Sequence, residues 1–224
     1  MNQLPVEQWE ERYRSEKFET EPAGFLREVL PLLPRGRALD LAMGAGRNAV
    51  FLAEHGYNVT GIERSRTALE KAEALARERG VAVRCAPPTP DEANPLHVPI
   101  AEPRQASRAR QSKRHPVTTS PGLLLIEADL EAYSLIVAQF DVVLCFYYLQ
   151  RSLFDLVQQA LRPGGMLVYD TYTLDQLDFS HGPRNPEHLL RPGELREAFS
   201  SLETLFYCEF RAGKGIASLL ARKR

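Results

Sequence analysis

The chain has 224 residues, of which 44% are hydrophobic, and a formal net charge of -1 at pH 7. This length supports one sizeable core rather than two domains, and the near-zero charge argues against a strong electrostatic partnership with nucleic acid. Three widely spaced cysteines, a polar N-terminus and the lack of any apolar run of about 18 residues predict a cytoplasmic protein without a disulfide framework, metal site, signal peptide or membrane span.

Strands and helices alternate along the first part of the chain. The apolar spacing predicts, in order, a helical N-terminus over the first ~35 residues, a strand at 37–42, a helix at 47–55, a strand at 58–63 and a helix at 68–80. Gly56 and Gly80 are natural ends for the last two helices. Thr67 and Glu70 are spaced as a capping box at the start of the helix that ends at Gly80.

The second half continues the alternation. It contains strand-like runs at 123–128, 140–146 and 166–172, and helical patterns at 152–161 and 192–199. The last two strand-like runs are joined by the short turn Gly213-Lys214-Gly215, which predicts an antiparallel hairpin. The alternation as a whole predicts an α/β fold, with a parallel sheet covered by helices on both faces.

Residues 86–122 break this pattern. They hold eight of the sixteen prolines and show no apolar period. Because loops of this length are rare inside a compact domain, we interpret the segment as a mobile insertion within a single domain that spans residues 1–224. Its basic stretch, 104–114, contains no acid, and a solvated loop explains it better than a patch for RNA or phosphate does.

A glycine turn follows the first predicted strand. The sequence GAGRNA at 44–49, called the glycine turn below, matches the pattern G-x-G-x-x-A between a strand and a helix. Many nucleotide-binding turns share this pattern. Glycines let the backbone approach a ligand closely, and the helix that follows offers free N–H groups.

Two carboxylates narrow the choice of ligand. Asp40 ends the first strand, where it would repel a pyrophosphate and attract an ammonium group. Glu63 ends the second strand, where a carboxylate accepts hydrogen bonds from ribose hydroxyls. Taken singly, Asp40 also fits a capping carboxylate, and Glu63 also fits a residue that stabilises the next helix through its dipole. Together they predict a ligand with a ribose and a cationic end, which S-adenosylmethionine has.

These motifs resemble those of class I S-adenosylmethionine-dependent methyltransferases. The similarity covers nearly the whole chain outside residues 86–122 and rests on LDLAMGAGRNA, GIER, EADLE, FDVVLCFYYL and LRPGGMLVYDTYT. WEERY, LRPGG and GPRNPEHLLRPGEL are similar to small-molecule methyltransferases of the tellurite-resistance type. The resemblance implies a Rossmann-like, doubly wound and mostly parallel sheet of seven strands with a C-terminal antiparallel hairpin. It also implies S-adenosylmethionine as the cofactor and S-adenosylhomocysteine as its product.

The resemblance further implies which positions bind the cofactor. They lie at the ends of four strands: Asp40, Ala42, Gly44, Gly46, Glu63, Arg64, Asp129, Leu130, Cys145 and Phe146. Asp40, Ala42, Gly44 and Gly46 would line the methionine and ribose, and Glu63 would hold the ribose. Asp129 and Leu130 would flank adenine, and Cys145 and Phe146 would face the methionine end through backbone groups. Ala42 departs from the family, which usually has a glycine there. Alanine fits that position if its φ is negative, whereas a positive φ would weaken cofactor binding.

The methyl acceptor should lie above the ends of the strands at 140–146 and 166–172. Because the cofactor brings an activated methyl group, the protein mainly supplies positioning and electrostatics. We expect a soft or anionic small molecule, such as a thiol or a chalcogen oxyanion, which needs no dedicated base. Candidate residues are His181 as a base, with Tyr147 and Arg191 beside the acceptor. An ordinary loop histidine and an arginine that only precedes a helix are the plainer alternatives. Less specific candidates nearby are Tyr148, Arg151, Tyr172, Arg184 and His188.

Two alternatives to a small-molecule methyltransferase stay open. An NAD-dependent oxidoreductase also fits GAGRNA followed by Glu63, although Asp40 and the predicted hairpin count against it. A catalytically silent cofactor-binding module also fits, because of Ala42 and the insertion. The absence of an N/D-P-P-Y signature after the strand at 140–146 argues against bases and glutamine as acceptors. The sequence gives no indication of the oligomeric state.

Overall fold

The structure, a computed structural model, describes residues 5–86, 121–133 and 137–224. Most of the predicted insertion at 86–122 therefore lies outside the described residues, and its interpretation as a mobile segment stays a prediction. The described segments contain strands and helices in the predicted alternation, so the α/β class is confirmed.

Six α-helices and eight strands occur in the described segments. The helices are α1 Val6–Ser15, α2 Gly24–Val29, α3 Arg47–Glu54, α4 Arg66–Glu78, α5 Phe154–Ala160 and α6 Glu194–Ala198. The strands are β1 Arg37–Leu41, β2 Asn58–Glu63, β3 Val83–Cys85, β4 Gly122–Glu127, β5 Phe140–Phe146, β6 Leu161–Tyr172, β7 Glu203–Arg211 and β8 Gly215–Arg222. Short 3₁₀ turns lie at 30–32, 151–153, 174–178 and 186–188.

All of these strands form one sheet in the order β3-β4-β2-β1-β5-β6-β8-β7. Each neighbouring pair from β3 to β6 in this order is parallel. Strand β8 pairs antiparallel with both β6 and β7. The mostly parallel sheet and its C-terminal hairpin are thus confirmed. The sheet has one strand more than the seven expected, because the short strand β3 pairs with β4 at the edge. A segment of three residues is too short to show a strand period in the sequence.

Helices cover both faces of the sheet. On one face Leu26 of α2, Leu52 of α3 and Leu69 of α4 pack against the inward residues of the central strands. On the other face Val157 of α5 and Leu195 of α6 do the same. Strands β1 and β5 are buried along almost their whole length, as expected for strands covered on both sides.

The start of α4 differs from the predicted capping box. Ser65 is the N-cap, and its hydroxyl accepts a hydrogen bond from the N–H of Ala68 at 3.1 Å. Thr67 instead donates its N–H and its hydroxyl to the carboxylate of Glu10 in α1. This contact ties the N-terminal helix to α4. The sequence did not reveal it because the two residues are far apart along the chain.

No helix in the described segments is long and apolar enough to span a membrane.

Candidate active site

The glycine turn lies where the strand order of the sheet reverses direction. It follows β1, which has β2 on one side and β5 on the other, although β5 comes much later in the chain. Asp40 of β1 lies opposite Gly61 of β2 and Leu144 of β5. In open α/β sheets the crevice at such a point is where ligands bind. The fold therefore places the predicted cofactor residues at its natural ligand-binding position.

Gly44 gives the turn room for a tyrosine from the N-terminal helix. Its φ is 56°, and a Cβ added there would lie 2.7 Å from the hydroxyl oxygen of Tyr13. Tyr13 is buried in α1 and stacks on Phe18, with 4.4 Å between ring centroids. Burial and the charge of Glu63 raise the pKa of Tyr13, so its hydroxyl remains a neutral donor. Helix α1 thus covers the turn with a polar group.

Gly46 has a different role. Its φ is 81°, and an added Cβ would lie 2.7 Å from the Cβ of Ala72 in α4. The lack of a side chain at Gly46 therefore lets α3 begin close against α4. This packing explains the glycine without a ligand, and its predicted contact with the cofactor stays a prediction.

Glu63 joins the end of β2 to the glycine turn. Its Oε2 accepts the N–H of Gly44 at 3.0 Å, and its Oε1 accepts the N–H groups of Arg64 and Ser65, both at 2.9 Å. Burial raises the pKa of this carboxyl, and the backbone donors oppose that rise. A carboxylate offers about four acceptor positions. Because three are in use, Oε2 can accept one further hydrogen bond, as from a ribose hydroxyl.

Asp40 is a buried carboxyl with an unsatisfied oxygen. Its residue is only 1% exposed, and its Oδ2 has no hydrogen-bond partner among the described residues. Burial raises the pKa of Asp40 to about 8, against the charge of Arg47 and the N–H of Ala49, while the charge of Glu63 adds to the rise. Unpartnered buried carboxylates are costly. A cation placed beside Asp40 would remove this cost.

Ala42, just before the glycine turn, has a φ of 51°. It therefore adopts the left-handed conformation that favours glycine. A positive φ is the condition under which alanine, in place of the family's usual glycine, would weaken cofactor binding. Ala42 is half-buried and packs against the core on one side of the sheet, which holds the backbone in place.

Replacing Ala42 with glycine is expected to stabilise the domain by about 0.5–1 kcal/mol. The left-handed conformation costs alanine about 1–2 kcal/mol, and the greater freedom of glycine in the unfolded chain offsets about 0.5–1 kcal/mol of the gain. Thermal unfolding of the wild type and Ala42→Gly measures this difference. A lower melting temperature in Ala42→Gly would show that the methyl group contributes more by packing than its backbone costs.

The segment after β4 lies beside the end of β2. The N–H of Ala128 donates to the carbonyl of Glu63 at 3.1 Å. Leu130 is 6% exposed, whereas Asp129 is exposed and its Oδ1 accepts the N–H of Glu131 at 2.9 Å. An apolar surface next to an exposed carboxylate suits an aromatic base with an amino group. The adenine role of this pair stays a prediction.

Cys145 and Phe146 end β5, next to β1. Cys145 lies opposite Leu41 of β1, and its thiol donates to the carbonyl of Tyr148 at 3.6 Å. Burial raises the pKa of Cys145 to about 12, so its sulfur is a neutral thiol at physiological pH. A nucleophilic cysteine needs a thiolate. Any part that Cys145 plays at the methionine end would therefore use its backbone.

Tyr147, immediately after β5, is the acceptor candidate tied most directly to the glycine turn. Its φ of 55° is unusual for a tyrosine, and its N–H donates to the carbonyl of Asp170 at 2.8 Å. The guanidinium of Arg47 lies 5.5 Å from the centroid of its ring. The ring of Tyr172 lies 5.4 Å away, centroid to centroid. The ends of β5, β6 and α3 thus meet around one side chain.

The other two main candidates, His181 and Arg191, lie in different surroundings. His181 is exposed, and its ring lies 6.2 Å from the ring of Phe179. Arg191 is also exposed, and its N–H and guanidinium both donate to Glu194 at the start of α6. These contacts fit the plainer alternatives for both residues. Their part in catalysis stays a prediction.

Two of the less specific candidates, Arg151 and Arg184, support the backbone. Arg151 pairs with Glu194 and donates to the carbonyls of Glu187 and Leu189. Arg184 donates to backbone carbonyls in its own loop. We conclude that these arginines hold the 174–194 segment together.

Several residues at the site were not singled out from the sequence as site residues. They are Tyr13, Arg47, Asp170 and Lys214, which come from α1, α3, β6 and the β7–β8 turn. Arg47, the first residue of α3, was predicted only as a helix start. The one available signal for Lys214 was its position between two glycines. In the described segments, no group of three His, Cys, Asp or Glu side chains is arranged to hold a metal ion.

The fold and the site geometry define an α/β domain with a glycine turn and two buried carboxyl groups at the point where a mostly parallel sheet reverses its strand order. A family model described as a methyltransferase domain matches residues 11–213, and the chain belongs to this family. It is therefore a methyltransferase domain of the class that uses S-adenosylmethionine. The family assignment decides against the NAD-dependent oxidoreductase that the sequence had left open as an alternative.

The chain is also similar to individual proteins. An uncharacterised protein of Schizosaccharomyces pombe is 25% identical over 185 residues, which are 78% of this chain and 53% of that protein. The chain thus spans about half the length of this relative. The crystal structure of TehB from Haemophilus influenzae is 17% identical, with a TM-score of 0.64, over 96% of this chain and 67% of TehB. A protein that converts a disulfide bond into a thioacetal group during echinomycin biosynthesis is 18% identical, with a TM-score of 0.60, over 97% and 90% of the two chains. At these identities the two structures show the shared fold alone.

Proposed function

We propose that this domain transfers the methyl group of S-adenosylmethionine to a small soft or anionic nucleophile, such as a thiol or a chalcogen oxyanion. The observation that carries the cofactor site is the buried, unpartnered Oδ2 of Asp40 beside the glycine turn. An ammonium group is the ligand that would satisfy it. The acceptor class is supported by the similarity in fold to TehB and to the thioacetal-forming protein.

The residues around the glycine turn fit the parts of this cofactor. Asp40 would hold the ammonium group, and the free position on Oε2 of Glu63 would hold a ribose hydroxyl. Leu130 and Asp129 would flank the adenine. Arg47 is a cation at the start of α3, and it would suit the carboxylate of the methionine part. The set contains a partner for the ammonium group, the carboxylate, the ribose and the adenine of the ligand.

The chemistry of the transfer places modest demands on the protein. The bound cofactor supplies an activated methyl group on a sulfonium. The chain must hold the acceptor in line with that group and exclude water from the site. An oxyanion attacks without losing a proton, and a thiol attacks as its thiolate, after its proton has passed to solvent. Such an acceptor fits the surroundings of Tyr147, where aromatic rings and cations meet.

Calorimetry with S-adenosylhomocysteine tests the cofactor site. We expect micromolar binding, no binding of NADH, and the release of close to one proton at pH 7. Asp40 with a pKa of about 8 is mostly protonated at that pH, and a bound ammonium group favours the charged form. Repeating the titration in buffers with different ionisation enthalpies counts the proton.

Asp40→Asn is the variant that assigns this proton. It should bind the ligand at least tenfold more weakly, since a charge-assisted hydrogen bond is lost, and release no proton. Unchanged proton release in Asp40→Asn would remove Asp40 from the site.

The raised pKa of Asp40 has a second consequence, which concerns the stability of the ligand-free domain. Because the folded pKa is raised from 3.8 to about 8, stability should fall as the pH rises through that range.

Methyl transfer to thiols and to selenite, followed by mass spectrometry of the products, tests the acceptor class. Methylation of these acceptors supports the proposal. Binding of S-adenosylhomocysteine without methylation of any soft or anionic acceptor would contradict it and favour a catalytically silent module.

A further inference from the structure

Lys214 lies at the tip of the β7–β8 hairpin but points back to the ends of the parallel strands. Its Nζ donates to the hydroxyl oxygen of Tyr147 at 2.9 Å and lies 4.9 Å from the centroid of that ring. A lysine in a hairpin turn ordinarily extends into solvent, because its ammonium group is strongly hydrated. This lysine is half-buried instead.

The backbone of the hairpin tip is held in place, so that the position of Lys214 is fixed. The N–H of Gly215 donates to the side-chain oxygen of Gln176 at 3.1 Å. The carbonyl of Gly215 accepts the N–H of Thr173 at 3.1 Å. A Cβ added at Gly215 would lie 2.6 Å from the backbone nitrogen of Gln176. The turn therefore docks closely on the segment that follows β6. An ammonium group carried by it keeps a defined place.

The charge of Lys214 is maintained by its neighbours. Burial lowers the pKa of Lys214, but the Tyr147 hydroxyl and the charge of Asp170 outweigh it and raise the pKa above its usual value. Asp170 is 4% exposed and accepts a hydrogen bond from Ser218. No carboxylate of the described residues lies within ion-pair distance of Lys214. The ammonium group therefore has donors available for an anion.

Arg47 and Lys214 approach Tyr147 from different elements. Arg47 belongs to the glycine turn and comes from the cofactor side, where it also pairs with Glu19. Lys214 comes from the hairpin, on the side away from β1 in the sheet. Two cations thus approach Tyr147 from different elements, and Lys214 comes from the β6 side of the sheet, where we expect the acceptor.

We propose that Lys214, together with the hydroxyl of Tyr147, binds a carboxylate or oxyanion of the acceptor and selects an anionic small molecule over a neutral one of the same shape. This inference rests on the proposed function. The anion would replace the phenol as the main partner of Nζ. It would bring a nucleophile on the same molecule to the ends of β5 and β6, beside Tyr172.

A pair of thiols that differ only in charge tests this selectivity. The probes are 3-mercaptopropionate, which carries a carboxylate, and the neutral 3-mercaptopropan-1-ol. Binding of each to the protein saturated with S-adenosylhomocysteine is measured by NMR titration, and kcat/KM is measured with S-adenosylmethionine. We expect the wild type to prefer the carboxylate by about tenfold or more, as for one charge-assisted hydrogen bond. Lys214→Gln should lose this preference, because its kcat/KM and affinity for the carboxylate should fall to about those for the neutral thiol.

Lys223→Gln is the matched control, since Lys223 is another partly buried lysine at the opposite end of β8, where it donates to the carbonyls of Gln158 and Leu161. It changes the net charge equally and should keep the preference for the carboxylate. Lys214→Arg should retain part of it. Equal preference in Lys214→Gln and the wild type, or no preference in the wild type, would overturn the proposal. Titration with S-adenosylhomocysteine alone is run on every variant. Failure of the wild type in that titration would count against the proposed function, whereas loss of thiol discrimination with intact binding concerns Lys214 alone.

Discussion

Replacing Glu63 with alanine is expected to weaken S-adenosylhomocysteine binding by about 10- to 100-fold and to destabilise the domain by about 2–4 kcal/mol. The carboxylate accepts three backbone N–H groups, from Gly44, Arg64 and Ser65. A buried donor left unsatisfied costs about 1–3 kcal/mol. Loss of the Glu63 carboxylate therefore removes both a ligand contact and the link between β2 and the glycine turn. Calorimetry and urea unfolding measure the two effects separately.

Glu127→Ala provides a matched control for this variant. Glu127 lies opposite Glu63 in the register of β2 and β4, so it occupies the same level of the neighbouring strand. It is exposed, and its contact with Arg66 at 3.2 Å is a surface ion pair. Such pairs contribute about 0–1 kcal/mol. If Glu63→Ala bound S-adenosylhomocysteine as tightly as Glu127→Ala, Glu63 would have no place in the cofactor site.

Gly46→Ala is expected to destabilise the domain by about 1.5–4 kcal/mol. The left-handed φ of 81° costs an alanine about 1–2 kcal/mol, and the lower freedom of alanine in the unfolded chain offsets about 0.5–1 kcal/mol of this cost. The new Cβ would lie 2.7 Å from the Cβ of Ala72, and overpacking of this kind adds about 1–3 kcal/mol. The start of α3 or α4 must shift, and the cofactor affinity should fall with it. Thermal unfolding gives the size of the loss.

Gly80→Ala separates the two contributions. Gly80 has a φ of 69°, but an added Cβ would meet nothing within 4 Å. Its substitution should therefore cost only the backbone term, about 1 kcal/mol. The double variant Gly46→Ala with Ala72→Gly should recover part of the loss. Equal melting temperatures for Gly46→Ala and Gly80→Ala would show that the contact with α4 is easily relieved.

The parts of the fold that the sequence predicted depend on local patterns. The apolar run around Val143 predicts strand β5, and the glycines after β1 predict a turn. Each of these patterns extends over only a few neighbouring residues. The ends of parallel strands meet at one edge of a sheet, and so Asp40 and Glu63 could be placed together from the strand pattern alone. In the structure Asp40 and Glu63 lie near the ends of neighbouring strands, as predicted. Glu63 also accepts a hydrogen bond from the backbone N–H of Gly44.

The parts that the sequence did not predict depend on packing between distant segments. The hydrogen bonds between Glu10 and Thr67, and the contact of Lys214 with Tyr147, join elements far apart along the chain. The left-handed conformation at Ala42 follows from the path between β1 and the glycine turn, and the residue type alone argues against it. Such features carry no period and no local signature.

The hairpin that carries Lys214 has a consequence for how the domain acquires activity. The site joins Tyr13 from the first helix and Lys214 from the last strand pair, so its contacts span nearly the whole described chain. Contacts of such high contact order form late, because the loop-closure entropy must be overcome first. On a ribosome, the parallel strands β1 to β6 emerge before β8 can pair with β6. The contact of Lys214 with Tyr147 is therefore among the last contacts of the site to form.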